Sequence, residues 1–242
     1  TMDNRSGATY RDARIKLVAG DVNVVREARA GGMGGMMDQA MFARGMEVMP
    51  EQEAFAEFHL YSMPRRSTVA QNQSKQLALL SASEIACEKV YEFRGEPHYF
   101  SQRIPVFPDE RVAVFLEFQN EVSNNLGMPL PGGIMRIYQE DSEGMLQFAG
   151  EDRVNHTPRN EDVRLRMGNA FDVVGERKQM DFRVIADQVH ESSYEISIRN
   201  RKETAVTVDV VEPMPGDWEI LDTSHDFEKK DARTAVFQIE VP

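Results

Sequence analysis

The chain has 242 residues, 41% hydrophobic and 28% charged, with 16 Gly and 11 Pro; it is long enough to bury a real core and too ordinary in composition for a disordered chain. Forty acidic against twenty-eight basic residues give a formal charge of -12, which repels phosphate backbones and anionic lipid heads and argues against nucleic acid as a partner. Cys87 is the single cysteine, so neither an intramolecular disulfide nor a cysteine-based zinc site can form within the chain.

The opening "TMDNRSGATY" starts on Thr with Met second and reads as a trimmed start. Residues 1 to 20 lack the basic head and apolar centre of a signal peptide, and no window approaches the run of about 18 apolar residues a membrane span requires. The first strand pattern is "ARIKLV" at 13 to 18, with Ala13, Ile15 and Leu17 on one side and Arg14 and Lys16 on the other, because successive strand residues face opposite ways.

Residues 26 to 52 break the pattern. "GGMGGMMDQAMFARGMEVM" at 31 to 49 holds six of the fourteen methionines, and four of its glycines, Gly31, Gly32, Gly34 and Gly35, stand together at its start. "MMDQAMFAR" allows two helical turns pairing Met37 with Met41, but each flanking glycine costs a helix about 1 kcal/mol. The segment therefore reads as an inserted loop. Thioether sulfur suits Cu(I), and Met33/Met36 and Met46/Met49 are spaced as soft ligands. Such sites gain from nearby histidine, however, and the nearest is His59. A loop whose methionines fill gaps or touch a partner is the commoner case, so no metal site is assigned.

Alternation resumes in "FHLYSM" at 58 to 63, "QLALL" at 76 to 80, "KVYEF" at 89 to 93, "RVAVFLEF" at 111 to 118 and "IMRIYQE" at 134 to 140. It continues through "MLQFAG", "VRLRM", "MDFRVIA", "YEISIRN", "AVTVDVVE", "DWEIL" and "AVFQIEV", punctuated by turn signals such as "DSEG" at 141 to 144. "SNNLGMPLPGG" is a turn-rich connection, in which Pro129 and Pro131 fix φ and Gly132-Gly133 permit a reversal. Some thirteen short strands without intervening helices predict an all-β protein of antiparallel β-sandwich units. The expected division is a larger sandwich at 1-170 carrying the insertion and a smaller immunoglobulin- or fibronectin-like one at 171-242, with a soft boundary. No period of 20 to 50 residues suggests a propeller or solenoid.

Five phrases in order, "NRSGATYRDARIKLVAGDVN" at 4 to 23, "FHLYSMPRRSTVAQNQSKQLALL" at 58 to 80, "LGMPLPGGIMRIYQED" at 126 to 141, "GEDRVNHTPRNEDVRLRMGNAFDVVGERK" at 150 to 178 and "VVEPMPGDWEI" at 210 to 220, give the chain a likeness across its length. Together they resemble the uncharacterised domain of bacterial mucoidy-inhibitor-A-like proteins. The resemblance implies a β-rich extracytoplasmic or envelope domain. It supplies no catalytic residues, and places both chain ends inside the family domain and the Met-rich segment where members vary.

Among chemistry-bearing clusters, Glu151, Asp152 and His156 in "GEDRVNHTP" could ligate a metal or do acid/base work. A strand splits them, with Asp152, Val154 and His156 on one face and Glu151 on the other. The plainer reading is a strand entering a turn at Thr157-Pro158, with Asp or His bonding backbone. Cys87 alternates with apolar neighbours, which predicts a buried, inert thiol. Neither a G-x-S-x-G elbow nor a phosphate-binding glycine motif occurs. Asp109 and Glu110 read as solvated turn residues. Trp218 with Tyr99, Tyr138 or Phe100 could stack on a sugar ring, although Trp218 and Ile220 on one strand face favour the core.

No catalytic, cofactor or metal residue is therefore assigned. The expectation is a non-enzymatic structural or interaction module of the bacterial cell envelope, contacting a protein partner, with a carbohydrate-binding or carbohydrate-active domain as the alternative. Oligomeric state stays open.

Overall fold

The computed structural model describes residues 2–19, 51–55, 58–63, 65–108 and 110–242. The Met-rich segment at 31–49 lies outside them, as do Asp109 and most of the insertion expected at 26 to 52. Glu51 and Gln52, the insertion's expected last residues, belong instead to a strand. The described residues form seventeen strands, two short 3-10 turns and no α-helix, so no helix among them is long and apolar enough to cross a membrane. Backbone contacts divide the chain into two compact units.

One unit comprises Thr1–Ile85, Asn120–Gly133 and Asn155–Glu161. Its strands are β1 (Met2–Asp3), β2 (Tyr10–Ala13), β3 (Lys16–Ala19), β4 (Glu51–Phe55), β5 (Phe58–Ser62), β6 (Ser67–Val69) and β7 (Ser74–Lys75). They pair antiparallel as β1 with β7, β2 with β6, and β3-β5-β4. The "ARIKLV" run is thus shared between two sheets, and one alternation cannot hold across the break. Leu17, expected inside, is 44% exposed, while Ala19 is buried.

Two buried asparagines tie loops together in this unit. The buried Asn4 donates to the carbonyls of Ala8, Val69 and Ala70 and accepts from Ser6. Asn120 is fully buried; its amide donates to the Met128 and Pro158 carbonyls at 2.7 Å each, and its oxygen accepts from the Gly127 N–H at 3.1 Å. Gly127 has φ +85, and a Cβ there would fall 2.5 Å from Val122 Cγ2, so the bend feeding Asn120 requires glycine.

The other unit comprises Ala86–Gln119, Ile134–Val154 and Asp162–Pro242. Its strands are β8 (Glu88–Arg94), β9 (Ala113–Gln119), β10 (Gly133–Glu140), β11 (Leu146–Val154), β12 (Asp162–Asn169), β13 (Val173–Ala186), β14 (Val189–Asn200), β15 (Val206–Pro213), β16 (Glu228–Asp231) and β17 (Thr234–Val241). Six of them make one sheet in the order β12-β9-β8-β15-β17-β16. Its central pair, β8 and β15, is parallel, with Val208 beside Tyr91 and Val210 beside Phe93. The sequence reading expected only antiparallel pairs, on the ground that parallel neighbours need helical crossovers. A parallel pair needs only a long connection, and here strands β9 to β14 supply it.

This sheet takes β8, β9 and β12 from before residue 170 and β15, β16 and β17 from after it, so it runs across the boundary expected there. The long hairpin β13–β14 lays Val173, Ile196 and Ile198 on Tyr91, Phe93, Val112, Val208 and Val210, which form the buried apolar cluster. The residues "QLALL" and "DWEIL", expected as strands, form none. Alternation alone does not make a strand without a neighbour to complete its hydrogen bonds.

Candidate functional site

The residues singled out by sequence do not converge. Asp152 accepts from the Arg166 N–H at 2.7 Å and from the Arg153 N–H, Glu151 pairs with Arg136 at 3.2 Å, and His156, past the end of β11, accepts from the Gly132 N–H through Nδ1. Each is occupied by its own local partner. Among the described residues no group of three or more His, Cys, Asp or Glu side chains is placed to hold a metal ion. A polar recess of about 200 Å³ beside Asn4, lined also by Asn72 and Gln73, falls below the roughly 300 Å³ at which small-molecule pockets begin.

Three expectations need correction. Cys87 is exposed rather than buried, because it precedes the first residue of β8 and so lies outside the alternation that would have turned it inward. Trp218 is half-buried in an irregular stretch after Gly216, not in a strand. Its Nε1 donates to the Ala232 carbonyl at 2.9 Å, and Lys229 Nζ sits 4.5 Å over its ring, so that ring face is covered. Glu110 is not a solvated turn residue but one arm of a buried ion cluster.

That cluster is a buried triad of one arginine and two glutamates. Arg177 of β13 shares the core-facing side with Val173 and Gly175, and its side chain has no exposed surface. Its Nε lies 3.1 Å from Glu110 Oε2, its Nη1 donates to Glu212 Oε2 at 2.9 Å, and its Nη2 approaches Glu212 Oε1 at 2.8 Å, too far out of line for a hydrogen bond. Glu110 Oε1 also lacks a hydrogen bond. A Cβ at Gly95 would fall 2.8 Å from Glu212 Oε2 and 3.0 Å from Arg177 Nη2, so a glycine leaves the space the ions fill.

Two carboxylates share one guanidinium, leaving an excess negative charge under cover. Burial pushes the Glu212 carboxyl above its ordinary range despite Arg177 beside it. Burial works to lower Arg177, but Glu212 and Glu110 more than offset it and hold the cation. Burial, reinforced by the Glu110 carboxylate, pushes the Tyr99 hydroxyl up. Arg177 closed to solvent cannot meet a substrate from outside, so the cluster reads as packing chemistry. The sequence signal lay in "VVGERKQ", where Arg177 falls in phase with Val173.

Exposed apolar surface gathers on two hairpins. On β10–β11, Ile134, Tyr138, Leu146 and Phe148 are all exposed, and the Tyr138 and Phe148 rings meet edge to face with centroids 5.8 Å apart. Tyr99 is buried and Phe100 packs on Tyr194 at 5.4 Å, so of the aromatics proposed for a sugar platform Tyr138 alone is exposed. On β13–β14, Met180, Val184, Ile185 and Val189 are exposed. No protein-family model, curated protein or solved structure matches the chain.

Proposed function

We propose that this chain is a non-enzymatic structural or interaction module of the bacterial cell envelope, built from packed β-sandwich units, and that it meets a protein partner through the β10–β11 hairpin. The observation carrying this reading is the exposed strip of Ile134, Tyr138, Leu146 and Phe148, with Phe148 58% exposed. Clustered large apolar side chains on a surface mark a contact more often than they mark nothing, and aromatic rings dominate such contacts. The layering of β13–β14 on the six-stranded sheet supports a sandwich with an immunoglobulin-like C-terminal part. The likeness to mucoidy-inhibitor-A-like proteins supports the compartment.

A carbohydrate-binding or carbohydrate-active role is the second reading, favoured by the same Tyr138–Phe148 pair, since an exposed ring face can stack on a sugar. Presenting the chain and its Tyr138→Ala/Phe148→Ala double variant to a glycan array and to solubilised envelope proteins separates the two. Capture of a defined envelope protein by the native chain, lost in the double variant and without glycan signal, is the expected outcome. Reproducible glycan binding abolished by Tyr138→Ala overturns it in favour of the sugar platform. Capture that survives the double variant removes this hairpin as the contact.

A further inference from the structure

The six-stranded sheet guards both of its edges. At one, β16 is four exposed residues carrying Lys229 and Lys230, charges that discourage another strand from pairing. At the other, the Arg166 N–H of β12 is taken by the Asp152 carboxylate, and Gly150 brings β11 against the Met167 carbonyl. The β13–β14 hairpin differs, being a two-stranded sheet with no third strand among the described residues. Beyond Gln179 and Tyr194 it outruns the core, leaving Met180 60% and Val184 67% exposed.

Successive residues of an antiparallel ladder turn their backbone groups alternately toward the partner strand and away from it. Phe182 turns away: its N–H donates to Asp181 Oδ1 at 2.9 Å, and its carbonyl accepts from Arg103 Nη2 at 3.0 Å. The outer edge of β13 is thus capped at this point by two surface side chains, each free to swing off when a better partner arrives.

We propose that this edge is a strand-addition site for a second copy of the chain, the two β13 strands pairing antiparallel about a two-fold axis at Phe182. In that register residue 182+n faces residue 182−n of the other copy. Asp181 then faces Arg183 of the second copy, and Arg183 faces its Asp181. Within one copy these side chains already lie 2.6 Å apart, so pairing builds an alternating four-charge cluster. Met180 faces Val184, joining exposed apolar surface to exposed apolar surface. The two Phe182 residues exchange N–H and carbonyl, replacing both caps.

Neighbouring registers lack this match. An axis at Asp181 or Arg183 sets like charges directly opposite, which is unfavourable in a sheet, and an axis at Val184 leaves Arg183 opposite Ile185. Register shifts between Gln179 and Asp181 and between Val184 and Ala186 limit the paired stretch, so the contact is small and the dimer weak. The proposal is independent of the contact assigned to Tyr138 and Phe148.

Sedimentation velocity on the intact chain, taken up to about 1 mM, a range in which weak pairing shows, reads the result. The native chain dimerises reversibly with concentration, Arg183→Asp keeps it monomeric at every concentration, and the swap Asp181→Arg with Arg183→Asp restores the dimer. Both side chains changed are exposed or half-exposed and the swap keeps net charge; far-UV circular dichroism checks that each variant keeps the fold. A native chain that stays monomeric, a dimer that Arg183→Asp leaves intact, or a swap that fails to restore it overturns the proposal.

Discussion

Gly175 of β13 lies flat against the ring of Phe93, so close that a Cβ built on it would fall 2.4 Å from two ring carbons. Phe93 is fully buried at the centre of the apolar cluster and has nowhere to retreat. Gly175→Ala is therefore expected to lower stability by roughly 1–3 kcal/mol or more through overpacking, read as a lower urea midpoint. Gly133→Ala is the control, since a Cβ there meets nothing within 4 Å. Equal effects at the two positions would sink the close-packing argument.

Arg177, whose own side chain is closed to solvent, holds the largely buried Glu110 and Glu212 carboxylates. Arg177→Met fits the apolar surroundings but strands two buried carboxylates, a loss on the order of 3–5 kcal/mol near neutral pH. Acidification protonates the Glu212 carboxyl, which burial already pushes up, so the gap between variant and native chain narrows as pH falls.

Glu212 makes a separate pH prediction. Its folded pKa is raised by burial, so between the ordinary glutamate range and that raised value the folded state binds more protons than the unfolded one. Stability contributed by this group is full below that window and falls as pH rises through it. Glu212→Gln should remove this downward slope from urea midpoints measured across acidic to neutral pH. An unchanged slope means Glu212 is not titrating in the fold.

Cys87 is exposed, and a thiol open to solvent reacts without unfolding. The native chain should take up one equivalent of a thiol-reactive dye in buffer, with little further gain in denaturant. Reaction seen only after unfolding would return Cys87 to the interior.

Strand periodicity carried the all-β class and placed β5, β8 to β15 and β17, because half-buried strands print their geometry as alternation; the short β6, β7 and β16 went unread. Pairing between strands is not so printed. That β8 runs parallel to β15 follows from contacts more than a hundred residues apart, and nothing in "KVYEF" or "VTVDVV" names its neighbour. "DWEIL" has the right period but no partner. The cluster was half legible: Arg177 falls in phase with the core face of β13, whereas Glu110 is pulled inside only by the strand opposite. Tyr138 was named with three other aromatics, and burial or a covering lysine then removed those three.

Asn120 joins two stretches of its unit, 120–133 and 155–161, through one side chain and its own backbone, whose N–H donates to the Glu161 carbonyl while its carbonyl accepts from the Asn160 N–H. Asn120→Ala keeps the backbone bonds but takes the side-chain partner from the Met128 and Pro158 carbonyls and the Gly127 N–H, of which the Met128 bond is buried and the other two part-buried. Each orphaned group costs about 1–3 kcal/mol, and partial relaxation brings the total to roughly 2–4 kcal/mol. Asn120→Asp is expected to be worse still, because it exchanges two donors for a buried negative charge facing two carbonyl oxygens. Amide hydrogen exchange localises the effect: protection at Gly127, Asn160 and Thr157 should fall in both variants, while amides of the β8–β15 pair keep theirs. Uniform loss across both units would instead make Asn120 a determinant of the whole chain's stability.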